Sequence, residues 1–274
     1  MSQPVVVVIG VGGMGESIAR RLGSGAQLLI ADFNAEALEA VRAQLEKDGY
    51  AVTAAPVDVS SRESVAALAR RAAGLGPVQT VVHTAGLSPV QAPVAAILAV
   101  DLLGVALVLE EFGQVVAPGG SGVVIASMAG HRNVGLSAEE AVQLATTPAD
   151  ELLSLPVAAE DRFSGPGAAY TFSKGANLLR VKAASSSWGA RNARINSVSP
   201  GAIATPMGQT ELAGEHGDTM RQLIAASNAR RAGTAADVTE AVAFLVGPSA
   251  RFISGTDLLV DGGVTALAAV GRHG

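Results

Sequence analysis

The sequence predicts an α/β fold in which a parallel, seven-stranded sheet is doubly wound, with helices on both faces. Short apolar runs rich in β-branched residues alternate with helix-length segments rich in Ala, Leu, Glu and Arg, which is the pattern of βαβ units. A hydrophobic fraction of 49% suits a sheet covered on both faces. The 274 residues contain no Pro/Ser-rich linker, repeat or low-complexity tract, so we expect one domain over 1–274.

The individual elements follow from this alternation. Strands are expected over 5–9, 27–31, 51–55, 78–83, 123–126, 194–198 and 258–260. Helices are expected over 13–22, 35–47, 62–73, 94–116, 168–188 and 236–246. The segment 94–109 is almost wholly apolar, but Asp101 interrupts it and it is shorter than the roughly 20 residues of a membrane span. We therefore interpret 94–116 as a buried helix that packs against a partner subunit.

Two segments fall outside the alternation. The first, 131–166, contains a capping box that begins at Ser137 and an N-cap at Thr147 followed by proline, which predicts an ordered helical insertion. Its apolar side chains would line a substrate mouth or cover a neighbouring subunit; they are Leu136, Val142, Leu144, Leu152, Leu153 and Leu155. The second, 206–231, mixes glycine, polar residues and methionine and is interpreted as a substrate lid.

Composition excludes several kinds of site and partner. Without cysteine the chain has no disulfide, no thiolate nucleophile and no sulfur ligand for zinc. We expect no metal, because metal-ligand spacing is absent among the four histidines, His83, His131, His216 and His273. A net charge of -5 without a basic cluster argues against nucleic acid and anionic membranes as partners. The first residues lack the basic segment of a signal peptide, so we expect a cytoplasmic protein.

A glycine-rich turn follows the first strand and opens the next helix, with Gly10, Gly12, Gly13, Met14 and Gly15. In the order strand, glycine turn, helix, this GxGxxG pattern lets a pyrophosphate approach the backbone and the free N–H groups of the helix N-terminus. A turn that binds nothing is the other interpretation.

Asp32 lies 22 residues after Gly10, at the end of the second strand. A carboxylate there accepts hydrogen bonds from the ribose hydroxyls of a dinucleotide and repels a 2′-phosphate. Neither the glycine turn nor the residues after Asp32 supply a compensating Arg or Lys, so the sequence favours NAD(H) over NADP(H). The alternative is that Asp32 is the N-cap of the next helix.

Tyr170 and Lys174 lie four residues apart in a predicted helix, so both side chains project from one face. A phenol with an ordinary pKa of about 10 exchanges protons near neutral pH only if its phenolate is stabilised, and a nearby ammonium lowers the phenol pKa. The pair therefore indicates acid/base chemistry, although a solvated helix face shows the same spacing.

Together these motifs resemble the compact branch of the short-chain dehydrogenase/reductase family, whose fold is Rossmann-type, and the resemblance covers nearly the full length. The residues that carry it are 10–15, Asp32, Asp58-Val59, Thr84-Ala85-Gly86, Ser127, Tyr170, Lys174, Ser199-Pro200-Gly201 and Val260-Asp261-Gly262-Gly263. Each motif is modest alone, but their order and spacing are specific.

The resemblance implies a role for each matching residue. Tyr170 would be the general acid in ketone reduction and the base in alcohol oxidation, Lys174 would lower the Tyr170 pKa and bind the nicotinamide ribose, and Ser127 would hold the substrate oxygen. The cofactor would contact Gly10, Gly12, Gly13, Met14, Gly15, Asp32, Phe33, Asp58, Val59, Thr84, Ala85, Gly86, Tyr170, Lys174, Pro200, Gly201, Ile203 and Thr205. The alternatives without a function are that Asp58 caps a helix and that Pro200 only forms a turn.

The chain departs from the family pattern in its glycine turn, at two asparagine positions and in an insertion. Its glycine turn is one residue shorter than usual. Asp101, a candidate catalytic residue, stands where the family has an asparagine that holds a water molecule of a proton relay. The Asp101 charge would pair with Lys174; the alternative is that the position takes no part in a relay. His83 replaces another asparagine and is interpreted as structural. The insertion 131–166 resembles that of bacterial 3-alpha-hydroxysteroid dehydrogenase/carbonyl reductases, where subunit packing is altered.

We therefore expect an NAD(H)-dependent oxidoreductase that interconverts a secondary alcohol and a ketone, acting on an apolar or bulky, hydroxysteroid-like or cyclic substrate, in a homodimer or homotetramer. A 3-oxoacyl thioester reductase is the rival within this class, and the insertion and Asp32 disfavour it. A non-catalytic dinucleotide-binding regulator is the rival outside it. Intact Ser127, Tyr170 and Lys174 count against the regulator, and Asp101 is its best support.

Overall fold

The computed structural model describes residues 3–90, 92–132, 134–214 and 217–270; His216, His273 and Asn133 lie outside the described residues. Seven parallel strands form one sheet in the order β3-β2-β1-β4-β5-β6-β7. The strands are β1 (Val5–Ile9), β2 (Gln27–Asp32), β3 (Val52–Pro56), β4 (Val78–His83), β5 (Val116–Ile125), β6 (Arg194–Pro200) and β7 (Asp257–Val260). This confirms the predicted doubly wound sheet.

Helices cover both faces of the sheet. They are α1 (Gly13–Leu22), α2 (Ala35–Lys47), α3 (Arg62–Leu75), α4 (Val94–Ile97), α5 (Gly104–Val115), α6 (Ala138–Thr146), α7 (Ala149–Leu152), α8 (Pro166–Gly189), α9 (Pro206–Ala213), α10 (Gly217–Ala226), α11 (Ala235–Val246) and α12 (Val264–Val270). Within the described ranges, no helix has both the length and the apolar character that crossing a membrane requires.

The strand β1, which lies between β2 and β4, is buried on both faces, and its side chains alternate between two layers of the core. Val5, Val7 and Ile9 belong to the layer under α3, α5 and α8, whereas Val6 and Val8 belong to the layer under α1, α2 and α11. Because β1 pairs with β2 on one side and with β4 on the other, the winding reverses between β1 and β4. Ligands bind at such a reversal, beyond the carboxyl ends of the strands.

The apolar helix predicted over 94–116 is interrupted by a π-helical segment, Leu98–Leu103, between α4 and α5. Asp101 lies in this segment, and π-helical turns are frequent at functional sites. In α5, Val105, Leu107 and Phe112 are buried among the chain's own residues. The chain's own residues therefore cover these side chains, and packing of the helix against a partner subunit stays a prediction.

The insertion folds as α6 and α7 with two 3₁₀ turns, and the predicted capping box at Ser137 is formed. Arg180 of α8 holds it in place, because Arg180 Nη1 donates hydrogen bonds of 2.9 Å to the carbonyl oxygens of both Leu144 and Thr147. A buried guanidinium thus satisfies carbonyl groups at the C-terminal end of α6, where the helix itself supplies no partners.

The sequence singles out six apolar side chains in the insertion. Leu144 and Leu152 are buried in the core with α5 and α8, Leu136 and Leu155 are partly buried against that core, and Val142 and Leu153 are exposed. The insertion therefore covers the chain's own helices, an arrangement that neither sequence-based interpretation included. The buried pair contributes in the same way as other core residues, through apolar area removed from water.

Among the strands, the bound that differs most from the sequence expectation is the start of β5. β5 begins at Val116, which pairs with Val78, rather than at 123. Glycines follow Val116, and one of them, Gly119, has a φ of +80°, so the early part of the strand lacks the β-branched signal. The segment 206–231, which the sequence analysis interprets as a substrate lid, contains two helices, α9 and α10.

Candidate active site

In the glycine turn between β1 and α1, some glycines are required by packing and one is not. Gly10 has a φ of +94°, and a Cβ there would lie 2.6 Å from the Ala85 nitrogen. A Cβ at Gly15 would lie 1.9 Å from the Gly10 oxygen, whereas a Cβ at Gly12 would meet nothing within 4 Å. The space above Gly12, at the N-terminus of α1, is therefore open to a ligand such as a pyrophosphate.

The end of β4 holds this turn from the other side. Thr84 Oγ1 donates a 2.8 Å hydrogen bond to the Gly10 oxygen, and the N–H groups of Thr84 and Ala85 donate to the Ile9 oxygen. Met14 is partly buried against the core under α1. The turn is thus fixed by backbone contacts before any ligand binds.

Asp32, at the end of β2, is held by two backbone groups. Its Oδ2 accepts a 2.8 Å hydrogen bond from the Val11 N–H, and its Oδ1 accepts a 2.9 Å hydrogen bond from the Asn34 N–H. The N-cap of α2 is Asn34, whose side chain accepts from Glu36 and Ala37. The structure therefore removes the alternative in which Asp32 caps the helix.

A cavity of about 420 Å³ opens beside Asp32. It is lined by Asp32, Phe33, Asn34, Val57, Asp58, Val59, Ser60, Ala85, Gly86, Leu87 and Val100. This lining contains two carboxylates and no Arg or Lys, and Phe33 is 79% exposed. Asp58 Oδ1 accepts hydrogen bonds from Ser60, while the N-cap of α3 is Ser61. The cavity has the size and polarity to hold an adenosine.

Ser127, Tyr170 and Lys174 come together at the carboxyl end of β5. Ser127 follows β5 and caps a 3₁₀ turn over Met128–His131, accepting a 3.1 Å hydrogen bond from the Ala129 N–H. Tyr170 lies close enough to Ser127 for the Ser127 hydroxyl to lower the pKa of the phenol, and Lys174 Nζ lies 5.4 Å from the centroid of the Tyr170 ring. Hydroxyl, phenol and ammonium thus form one cluster, as the sequence motifs predict.

The spacing within this cluster depends on a close backbone contact. A Cβ at Gly130 would lie 2.7 Å from the Lys174 oxygen and 3.0 Å from the Gly175 nitrogen. Only a glycine lets the 3₁₀ turn after Ser127 approach the backbone of α8 so closely. The contact fixes Ser127 relative to α8 directly, independently of the insertion between them.

Asp101 is fully buried and pairs with Lys174, with 2.9 Å between Asp101 Oδ1 and Lys174 Nζ. The Leu87 N–H donates to the same carboxylate, and Asn177 Nδ2 donates a 2.9 Å hydrogen bond to the Asp101 carbonyl oxygen. A Cβ at Gly86 would lie 2.6 Å from Asp101 Oδ1 and 3.2 Å from Lys174 Nζ. The ion pair anticipated from the sequence is therefore present and is packed beneath Gly86.

Burial and neighbouring charges shift the pKa of each group in the cluster. Burial raises the pKa of Tyr170; Lys174 and the Ser127 hydroxyl lower it, while Asp101 and Glu211 raise it, and the net direction is upward. Burial lowers the pKa of Lys174, but Asp101, Tyr170 and Glu211 raise it above its ordinary value. Burial likewise raises the pKa of Asp101 against the opposing effect of Lys174. Lys174 thus acts on Tyr170 with the expected sign, but burial and the two carboxylates outweigh it.

His83, at the end of β4, is buried within electrostatic range of Lys174. Burial, together with the charge of Lys174, lowers its pKa to about 3. Neither ring nitrogen has a hydrogen-bond partner among the described residues. The imidazole is therefore neutral near pH 7 and adds no charge to the cluster.

The end of β6 leads into the segment that the sequence predicts to be a lid. A Cβ at Gly201, after Pro200, would lie 2.7 Å from the Asp261 Cα, so the β6 and β7 ends are in close contact. Ile203 forms an isolated bridge with Gly233. Thr205 caps α9, and its methyl group would lie 3.1 Å from a Cβ at Gly13. The start of α9 is therefore adjacent to the glycine turn.

Glu211 of α9 is a site residue that the sequence analysis missed. Its Oε1 accepts a 2.6 Å hydrogen bond from Ser88 Oγ, and its charge raises the pKa of both Tyr170 and Lys174. The two partners lie 123 residues apart along the chain, so no local motif connects them. The only available signal was a lone carboxylate in a segment already expected to border the substrate.

Two family models match the chain in succession. Residues 4–139 match the model described as "short chain dehydrogenase", and residues 136–265 match the model described as "Enoyl-(Acyl carrier protein) reductase". A solved structure, a short-chain dehydrogenase/reductase from Serratia marcescens BCRC 10948, has a TM-score of 0.75 at 26% identity, over 96% of this chain and 98% of that one.

Full-length relatives give the same result. D-threitol dehydrogenase of Mycolicibacterium smegmatis is 29% identical over 263 residues, 92% of this chain and 89% of that protein. The short-chain dehydrogenase/reductase bsc3 of Alternaria brassicicola is 41% identical over 270 residues, 97% of each protein. With this identity over nearly the whole chain, and with the fold and site described above, the protein belongs to the short-chain dehydrogenase/reductase family.

Proposed function

We propose that the protein is an NAD(H)-dependent oxidoreductase that interconverts a secondary alcohol and a ketone, with a bulky or cyclic substrate. The observation that carries this proposal is the cluster of Ser127, Tyr170 and Lys174 beside the open glycine turn. A proton donor, a group that holds the reacting oxygen and a cation that stabilises phenolate are the elements that carbonyl reduction requires. A relative named for D-threitol oxidation supports alcohol chemistry.

The residues present fit a nicotinamide dinucleotide. The open space above Gly12 suits the pyrophosphate, since a Cβ there would enter a volume that the protein does not fill. Asp32 and Asp58 would hold the adenosine, and Phe33 would lie at its edge. Pro200, Gly201, Ile203 and Thr205 would border the nicotinamide. When bound, the nicotinamide supplies or accepts the hydride at the carbinol carbon.

The chain's own side chains carry the proton chemistry. In ketone reduction Ser127 holds the carbonyl oxygen and Tyr170 donates its phenolic proton to that oxygen. In alcohol oxidation the phenolate form of Tyr170 removes the hydroxyl proton. The Lys174 ammonium stabilises the phenolate in both directions. Asp101 is a positioning residue, because it fixes Lys174 without reaching the substrate oxygen itself.

The preference for NAD(H) rests on the charge of the adenosine cavity. Asp32 is fixed by Val11 and Asn34 with its carboxylate at the cavity. A 2′-phosphate placed there would meet two carboxylates and no Arg or Lys among the lining residues. The same charges disfavour NADP(H).

The direct test is a panel of steroids, cyclic ketones, secondary alcohols and acyl thioesters, followed by NADH absorbance. We expect turnover with cyclic or bulky members, and a loss of at least about 100-fold in Tyr170→Phe with unchanged NADH binding by fluorescence. Preferred turnover of acyl thioesters would support the reductase rival. No turnover of any member, with intact NADH binding, would support the regulator.

A further inference from the structure

A carboxylate of α9, Glu211, is bonded to the chain segment that also contacts the buried ion pair. Ser88, which donates the 2.6 Å hydrogen bond to Glu211 Oε1, is fully buried. The preceding residue, Leu87, donates its N–H to Asp101, and Gly86 lies against both members of the ion pair. The segment 86–88 therefore contacts both the Lys174–Asp101 pair and Glu211.

The path of α9 explains how Glu211 reaches this position. The helix begins at Thr205, beside the glycine turn, and a Cβ at Gly214, after its end, would lie 3.8 Å from Val90. The helix therefore runs from the nucleotide side to the segment 87–90. The charge of Glu211 raises the pKa of both Tyr170 and Lys174, so the carboxylate lies within electrostatic range of the reacting groups.

Cations near Glu211 are engaged elsewhere. Lys174 pairs with Asp101, and Arg221 donates to Asp218 and to the Leu212 oxygen. Among the residues that the structure describes, none donates to Glu211 Oε2, and Glu211 is exposed. An anionic acceptor oxygen is thus available on α9, within electrostatic range of Tyr170 and Lys174.

We propose that Glu211 determines substrate specificity by accepting a hydrogen bond from a second hydroxyl group of the substrate. This inference rests on the proposed function and narrows its substrate class. The preferred substrate is a diol or a hydroxy ketone in which the second hydroxyl lies near the reacting carbon. A carboxylate accepts such a bond with the added strength of a charged partner, and it repels anionic substrates.

A second role for Glu211, as a latch that only holds the lid through Ser88, makes a different prediction. Loss of a latch would lower kcat/KM for all substrates by the same factor, because every substrate uses the same lid. Loss of a hydroxyl acceptor changes the ratio between substrates that differ only in that hydroxyl. The ratio is therefore the informative readout.

The experiment compares wild type, Glu211→Ala and Glu211→Gln with NAD⁺ and three matched substrates: cyclohexanol, trans-1,2-cyclohexanediol and 2-hydroxycyclohexanecarboxylate. We expect wild type to prefer the diol over cyclohexanol, and Glu211→Ala to reduce this preference about tenfold. Glu211→Gln keeps an acceptor oxygen but no charge, so we expect a smaller loss for the diol together with a gain for the carboxylate substrate.

Asp218→Asn is the matched control, since it removes another lid carboxylate whose side chain pairs with Arg221 rather than with Ser88. We expect its substrate ratios to equal those of wild type, and thermal melting with NADH binding verifies the fold of each variant. Turnover with ratios unchanged in both Glu211 variants, or an equal loss for every substrate, overturns this inference alone. No turnover of any alcohol by wild type overturns the proposed function, and this inference with it.

Discussion

The site contains two aspartates whose surroundings differ in almost every respect, Asp32 in the nucleotide half and Asp101 in the catalytic half. Asp32 is held by two backbone N–H groups and faces an open cavity. Asp101 is fully buried and bonds to a side-chain ammonium and a backbone N–H. The first is fixed so that it can bind a ligand, whereas the second fixes another side chain. The same residue type thus serves recognition or positioning according to burial and partner.

The largest effect is expected from Lys174→Met, which removes the catalytic ammonium and leaves the cavity beside Asp32 unchanged. We expect a loss of about 1000-fold in kcat, because the phenolate form of Tyr170 loses its nearby cation. Stability should fall by about 3 kcal/mol, since Asp101 is left buried without its partner. Steady-state kinetics and urea denaturation measure the two losses. In Lys174→Met/Asp101→Leu, stability should recover and activity should not; recovered activity would contradict the proposed role of Lys174.

Two glycine substitutions compare a position packed against the Lys174–Asp101 pair with a position that faces open space. Gly86→Ala places a methyl group against the Lys174–Asp101 pair and should destabilise the protein by about 2 kcal/mol. Gly12→Ala meets no protein atom within 4 Å, so its melting temperature should stay close to that of wild type while its NADH affinity falls. Thermal melting and fluorescence titration give both values. Unchanged NADH affinity in Gly12→Ala would contradict the proposed binding of the pyrophosphate above Gly12.

Asp32→Asn tests recognition in the nucleotide half. The amide accepts more weakly from ribose hydroxyls and no longer repels a phosphate, so NADH affinity should fall about tenfold and the preference over NADPH should narrow. Titration with both cofactors measures the change. Asp58→Asn is a control in the same cavity, where we expect a smaller shift in cofactor preference. Tighter binding of NADPH than of NADH by wild type would refute the assignment.

Asp101→Asn should act on the pH profile and leave cofactor preference nearly unchanged, while stability falls because the buried Lys174 ammonium loses its anionic partner. The Asp101 charge raises the pKa of Tyr170 and that of Lys174, so its removal lowers both. Alcohol oxidation needs deprotonated Tyr170, and its pH–kcat/KM profile should therefore move to lower pH. Asp32→Asn, far from the phenol, should keep the wild-type profile. A profile that does not move in Asp101→Asn would show that the pair has no influence on the acid/base step.

The two halves also differed in how far the sequence alone predicted them. Gly10 to Gly15, Asp32, Tyr170 and Lys174 lie in short local patterns, and periodicity predicts the strands that bring them together. The π-helical segment around Asp101 and the burial of α5 within its own chain depend on packing between distant segments. The contact from Ser88 to Glu211 has no local signature at all. Dimer or tetramer assembly and the lid role of 206–231 stay predictions.

The backbone contact between Gly130 and α8 has a consequence for how this fold tolerates change. It joins the segment after Ser127 directly to the helix that carries Tyr170, so the length of chain between the two residues is decoupled from their distance in space. We therefore expect loops added at exposed positions of this interval to leave the reacting groups in place, provided that the core contacts of Leu144 and Leu152 and the hydrogen bonds from Arg180 are kept. The interval is thus a natural position for grafted loops, and a protein engineer could vary substrate access there while leaving the chemistry in place.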